Sequence, residues 1–309
     1  MDQIIRVGTR KSKLAMWQTE WVCKRLNEAG LKTEIIPIDT KGDKILDVAI
    51  SKIGSKGVFT EEIESKLASG DIDIAVHSAK DMASHLPDGF ELIAFTQREK
   101  VNDVLVSHKK VNITDNAIVI GTSSTRRVAI LKKHYPHIKT VDIRGNLQTR
   151  IAKMESGHCD ALLLAYAGVH RMAYDHMIVA TLDTKEFTPA VGQGSIAIEA
   201  STTLNENKKE KIKKALSHRE TEWCIGAERA FLRKLKGGCS IPAFANTTLI
   251  GDRLYMKAGI YSLDGSKSVR TEQSDIKTNG EKLGVWVAEH LLSKGGDKIL
   301  EEIKKTLNT

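Results

Sequence analysis

The chain has 309 residues, a formal net charge of +8 and 41% hydrophobic residues, with a mean hydropathy of -0.26. That length suits two or three domains of ordinary size with real cores, and no stretch reaches the apolar length that spans a bilayer. The strand pattern starts at Ile4-Ile5-Arg6-Val7 and leaves no room for a secretory leader, so a cytoplasmic location without a membrane partner is expected.

In chain order, the opening strand gives way to the turn Gly8-Thr9-Arg10-Lys11-Ser12. A helical pattern follows from Lys13 to about Ala29, carried by Leu14, Trp17, Trp21, Val22 and Leu26 and stopped by Gly30. Residues 33–38 read as the next strand and residues 72–76 as another, the latter followed by His77-Ser78-Ala79-Lys80-Asp81. Near residue 117 the opening repeats: the strand Ala117-Ile118-Val119-Ile120, the polar turn Gly121-Thr122-Ser123-Ser124-Thr125, then a helix entered through Arg126-Arg127. Two α/β domains of related design would explain the echo.

Residues 140–143 read as a strand, left through Arg144-Gly145-Asn146 into a helix carrying Arg150. The run Ala161-Leu162-Leu163-Leu164-Ala165 has the continuous apolarity of a strand covered on both faces. After Pro189-Ala190-Val191-Gly192-Gln193-Gly194, a strand over residues 195–199 suggests that the chain crosses back to the first domain. Residues 208–214 form a lysine-rich helix of mixed sign, expected as a solvated face. A helix near residues 222–235 then leads to Gly237-Gly238-Cys239-Ser240. Strands over 247–250, 254–260 and 268–272 and a helix over 282–292 complete a small α+β domain.

The four cysteines, Cys23, Cys159, Cys224 and Cys239, lie far apart with no C-x-x-C pair, so neither a metal site nor a disulfide framework is indicated. Nucleotide, zinc-peptidase and serine-hydrolase motifs are missing from the sequence. What recurs instead is arginine near the exits of strands: Arg10, Arg126, Arg127, Arg144, Arg150 and, a short segment beyond its strand, Arg171. Open α/β sheets bind ligands at these ends, and guanidinium groups suit carboxylates and phosphates. Among those cations Asp81 could hold a positive charge that develops during a reaction or move a proton, or it could form an ordinary surface ion pair. Cys239, preceded by two glycines, followed by Ser240 and close after Arg233, Lys234 and Lys236, is a candidate attachment point, with a packed thiol in a tight turn as the alternative. The net charge invites a nucleic-acid reading, but aromatic residues are only 5% and the cations are scattered, so no nucleic-acid partner is expected. An anion-binding receptor would use the arginines but would have no need of Cys239 or of a third domain to carry it.

Taken together, these segments resemble the porphobilinogen deaminase (hydroxymethylbilane synthase) family over nearly the whole chain. Besides those quoted, Thr40-Lys41-Gly42-Asp43, Lys56-Gly57-Val58-Phe59, Leu164-Ala165-Tyr166-Ala167-Gly168 and Ala227-Glu228-Arg229-Ala230 match in the family's order. The resemblance implies an α/β protein with two periplasmic-binding-protein-like (type II) domains around a cleft and a small α+β C-terminal domain. The boundaries it suggests are 1–97 plus 195–216, 98–194, and 217–309. It implies a transferase of porphyrin and heme biosynthesis that deaminates four porphobilinogen molecules in steps and condenses them head to tail on a dipyrromethane held by a thioether to Cys239. The linear 1-hydroxymethylbilane is then released. Asp81 matches the catalytic aspartate. Arg10, Ser12, Ser78, Lys80, Thr122, Ser123, Ser124, Arg126, Arg127, Arg144, Gly145, Arg150, Arg171 and Gln193 match positions that hold cofactor or substrate carboxylates. The family expectation is a monomer. Ala79 and Ala83 depart from the pattern, which has a larger apolar residue and a proline there, so loop rigidity beside Asp81 is where this chain would differ.

Overall fold

The computed structural model describes residues 4–41, 60–115, 117–237 and 241–307. Gly42, Asp43, the 56–59 segment and the Gly238-Cys239-Ser240 turn lie outside the described residues. The chain forms two compact units, residues 1–99 with 194–222 and residues 100–193 with 223–309.

In chain order, the first unit contains β1 (Ile5–Arg10), α1 (Lys13–Glu28), β2 (Thr33–Ile38), α2 (Glu61–Ala68), β3 (Ile74–Ser78), a 3-10 turn (Ala79–Asp81) and β4 (Phe90–Phe95). The second contributes β5 (Asp103–Val106), β6 (Val119–Gly121), α3 (Thr125–His134), β7 (Lys139–Val141), α4 (Leu147–Glu155), β8 (Ala161–Ala165), α5 (Tyr166–Arg171) and β9 (Ile178–Thr181). The chain then returns to the first unit with β10 (Ile196–Ser201) and α6 (Glu206–Leu216). After α7 (Arg219–Lys234) come β11 (Ala243–Ile250), β12 (Arg253–Tyr261), β13 (Ser268–Ile276), α8 (Gly280–Leu291) and α9 (Asp297–Leu307).

The two five-stranded sheets share one plan, with orders β2-β1-β3-β10-β4 and β7-β6-β8-β5-β9. In the first, β1 runs parallel to β2 and β3, while β10 is antiparallel to β3 and β4. In the second, β6 runs parallel to β7 and β8, while β5 is antiparallel to β8 and β9. The antiparallel strand of each sheet is the one entered just after the chain passes from one unit to the other. The third sheet, β11-β12-β13, is an antiparallel meander. The expected mixed α/β architecture with a small C-terminal α+β part is therefore present.

Apolar residues on both faces of the central strands account for this layering. Val7, Ile74, Val76 and Ile198 meet Val22 and Leu26 of α1 and Ile212 of α6. Ile63 and Leu67 of α2 join Ile38, Ile72 and Ala75 in a separate cluster. In the second unit the alternation along β8 sends Leu163 into a core with Ile130 of α3, and Leu162 and Leu164 into one with Ile151 and Met154 of α4. Phe244 and Tyr261 of the third sheet enter the Ile130 core, and α7, α8 and α9 pack on that sheet through Phe231, Val287 and Ile303.

Several strand ends differ from expectation: β11 begins at Ala243 and β13 runs on to Ile276. β3 starts at Ile74 because Asp73 spends its carboxylate on Arg6, with the Arg6 backbone N–H donating to it at 2.8 Å. β7 stops at Val141, after which Ile143 turns into the core and its carbonyl accepts from Ser123 Oγ at 2.6 Å. Strands β4, β5 and β9 had no counterpart in the sequence reading, and β5 and β9 are only four residues long.

The repeated strand-Gly-Thr motif has a steric basis. A Cβ on Gly8 would meet Ile72 Cδ1, and one on Gly121 would lie 2.8 Å from both Cys159 Sγ and Ile143 Cγ1. Gly226, inside α7, has no atom within 4 Å of such a Cβ. Gly121→Ala is thus expected to cost about 1–3 kcal/mol through overpacking. Gly226→Ala should instead stabilise by about 0.5–1 kcal/mol through helix propensity. Urea midpoints of the two variants check this, and an equal response would refute the steric account.

Candidate active site at the carbonyl ends of the parallel strands

In a parallel sheet the carbonyl end of each strand delivers the chain to the start of a helix, where free N–H groups and the helix dipole favour anions. At the end of β1, Ser12 caps α1 by accepting from Ala15 N at 3.4 Å, with Arg10 half-buried beside it. Thr9 is buried and donates through Oγ1 to the Ala15 carbonyl at 3.3 Å, fixing the same turn. At the end of the neighbouring β3, Ser78 is held by buried Gln18 of α1, whose Nε2 donates to Ser78 Oγ at 3.0 Å.

The 3-10 turn Ala79–Asp81 follows directly. Ala79 N donates to the Ser195 carbonyl at 3.0 Å, and Met82 N donates to the Ala79 carbonyl at 3.4 Å. Ala79 and Met82 are buried whereas Asp81 is exposed. The turn is therefore anchored at both ends and presents the Asp81 carboxylate at its tip, with half-buried Lys80 next to it. Asp81 makes no side-chain hydrogen bond or ion pair among the described residues. His77 points the other way, its Nε2 2.8 Å from Oε2 of fully buried Glu199.

In the second unit the turn after β6 is knitted to the loop after β7. Thr122 N donates to the Val141 carbonyl at 3.0 Å, Ser124 N to Thr122 Oγ1 at 3.3 Å, and Ser123 Oγ reaches the Ile143 carbonyl. Ser124 caps α3 by accepting from Arg127 N at 3.5 Å, and Asn146 caps α4 by accepting from Thr149 N at 2.9 Å. Gly145 has φ +110°, a conformation that side chains disfavour, and its carbonyl accepts from Arg150 Nε at 2.8 Å. Arg144 Nε lies 3.3 Å from Asp142 Oδ2. Hydroxyls, N–H groups and guanidiniums thus share one edge, a donor set suited to carboxylates. Arg171 closes α5 at the end away from the strand.

Arg126 and Arg127 are turned inward, around Asp103 at the head of β5. Arg126 Nη2 lies 2.8 Å from Asp103 Oδ2 and Arg127 Nη2 2.7 Å from Oδ1. Gln193 Nε2 donates to Asp103 Oδ1 at 3.0 Å and to the Val101 carbonyl at 2.6 Å. The other terminal nitrogens of the arginines reach backbone carbonyls, Arg126 Nη1 to Thr188 at 2.9 Å and Arg127 Nη1 to Leu163 at 3.0 Å. Burial alone would push the Asp103 carboxyl up, but the two guanidiniums outweigh it and hold the group well below the usual carboxylate range. Arg126 Nε and Arg127 Nε are buried donors with no partner among the described residues. Such orphaned donors behind a polar turn fit an anionic ligand that brings its own acceptors.

The structure therefore gathers Arg10, Ser12, Ser78, Lys80 and Asp81 at the edge of the first sheet, and Thr122, Ser123, Ser124, Arg144, Gly145 and Arg150 at that of the second. Arg126, Arg127 and Gln193 converge in the interior of the second unit, and Cys239 lies outside the described residues. Asp103 escaped the sequence reading, although a carboxylate opening the apolar strand Asp103–Val106 is itself a signal. Glu228, quoted earlier without a role, is fully buried and accepts from Gly192 N at 2.8 Å and Thr247 N at 2.7 Å, tying the 189–194 segment to β11.

Comparison with known proteins adds a second line of support. The family model described as "Porphobilinogen deaminase, dipyromethane cofactor binding domain" matches residues 5–210, and "Porphobilinogen deaminase, C-terminal domain" matches residues 223–293. A porphobilinogen deaminase of Desulfosudis oleivorans is 57% identical over 308 residues, covering 99% of both chains. One from Cytophaga hutchinsonii is 54% identical over 310 residues, covering 100% of this chain and 99% of its own. Among solved structures, the periplasmic VFT2 domain of Bordetella pertussis BvgS aligns at a TM-score of 0.42 and 17% identity, covering 69% of this chain and 86% of that one. The chain belongs to the porphobilinogen deaminase family.

Proposed function

We propose that this chain is a hydroxymethylbilane synthase in which Asp81 is the catalytic carboxylate and Cys239 carries the dipyrromethane. The observation that carries this reading is the placement of an exposed aspartate on an anchored turn, on a chain whose strand ends otherwise offer donors for carboxylates. Porphobilinogen bears an acetate, a propionate and an aminomethyl arm, and it loses ammonia to give an electrophile. When bound, the dipyrromethane supplies a nucleophilic pyrrole carbon.

The protein's own residues do the rest. Asp81 offsets the positive charge that develops on a pyrrole ring and accepts or returns a proton at its carboxylate oxygen. Arg10, Ser12, Ser78 and Lys80 on the first edge hold carboxylates. So do Thr122, Ser123, Ser124, Arg144, the Gly145 backbone and Arg150 on the second, and Arg171 from the far end of α5. Arg126 and Arg127 add positive charge beneath the second edge, and Gln193 fixes the segment that approaches it.

The separate matches over residues 5–210 and 223–293 support a distinct C-terminal domain, in keeping with domains of 1–97 plus 195–216, 98–194 and 217–309. No described helix is long and apolar enough to cross a membrane; that the enzyme is a cytoplasmic monomer with neither membrane nor nucleic-acid partner is part of the same proposal. Lys208 and Lys209 of α6 are paired with Asp73 and Glu91 at 2.9 and 2.7 Å, which further weakens a nucleic-acid reading.

Incubation with porphobilinogen is expected to release one ammonia per substrate consumed, and no release would remove the reading. Asp81→Asn should lower kcat by about 10²–10⁴-fold, yet leave the thermal midpoint close to wild type because the side chain is exposed. A rate close to wild type would reassign the catalytic group. Arg150→Lys loses the planar fork that donates to Gly145, so its KM should rise about tenfold with a smaller change in kcat. Steady-state kinetics at fixed ionic strength checks this, and an unchanged KM would count against the loop's role.

A further inference from the structure

We propose that Asp103 is a positioning residue for the condensation, holding the N-terminal turn of α3 in the geometry that receives carboxylates. This deepens the reading of the same site and rests on it. Asp103 is fully buried, and its two oxygens are shared among Arg126, Arg127 and Gln193. Through those partners it reaches the Thr188 and Leu163 carbonyls and the Val101 carbonyl. Thr188 in turn accepts through Oγ1 from Arg270 Nη2 of β13 at 2.9 Å, so one chain of hydrogen bonds joins the third sheet to α3.

Two features set this cluster apart from an ordinary internal brace. Two guanidiniums facing one carboxylate leave an excess positive charge in the interior, where a well-packed apolar group would serve stability as well. That excess sits in the first turn of α3, which has no acidic residue and whose dipole already opposes cations. Both make the turn at Thr122, Ser123 and Ser124 a better receiver for an anion and a worse helix start without one. Asp103 holds the charge in place while leaving the excess.

The test separates positioning from simple attraction, because the two predict opposite signs. Asp103→Asn removes a negative charge, so attraction alone would lower KM for porphobilinogen. Positioning predicts a rise of roughly tenfold or more, together with a smaller fraction of purified chains carrying the mass of the dipyrromethane. A folded Asp103→Asn protein with unchanged or lower KM and full cofactor loading would overturn the proposal. If that variant does not fold, Gln193→Met decides, since it removes the amide from Asp103 and Val101 without stranding a charge. A KM raised about threefold or more then supports the proposal, and a wild-type KM overturns it. A wild-type protein that releases no ammonia would instead sink the enzymatic reading itself.

Discussion

A parallel strand can end in only one direction, and the helix that follows must begin where the strand stops. Within the first sheet β1 and β3, and within the second β6, β7 and β8, therefore each bring their connecting turns to one edge of their own sheet. Hydroxyl caps, backbone N–H groups and positive helix ends accumulate there without any special arrangement. Such an edge offers many directed donors for carboxylates, which a pool of flexible surface lysines would not. The glycines at positions 8 and 121 each serve the edge of their own sheet, because side chains there would collide with the core under the turns.

Both units contain buried carboxylates that tie their segments together. Asp103, Glu199 and Glu228 are all fully buried, and each draws together segments remote in sequence. Isolated carboxylates could not persist there, since desolvation would protonate them. Asp103 stays ionised because Arg126 and Arg127 face both of its oxygens. Glu228 accepts two backbone N–H groups instead, which secures the segment leading to Gly192 and Gln193. Asp103 and Glu199 lie on β5 and β10, the strands that follow each passage between the units.

Much of this was legible in the sequence because local physics wrote it. Gly-Thr followed by a capping serine marked both helix starts, and the uniform apolarity of residues 161–165 marked a strand buried on two faces. The exposed carboxylate of Asp81 was also visible, as a polar turn after a strand. What could not be read was partnership at long range. Arg126 and Arg127 read as ligand-facing because they follow a strand, yet their terminal nitrogens turn to Asp103, more than twenty residues earlier in the chain. Gln18 in its helix gave no sign that it would hold Ser78, sixty residues away. Short strands such as β5 and β9 fall below the length at which periodicity speaks.

The central claim is that this protein grows a chain of pyrroles on one of its own thiols. Intact-mass measurement of the purified protein, with peptide mapping across Cys239, tests it most directly. The account predicts a mass excess of two linked pyrrole units confined to the peptide containing Cys239, and heavier adducts in steps of one pyrrole unit after brief exposure to porphobilinogen. A thiol still bare after that exposure, with no adduct elsewhere on the chain, would contradict it.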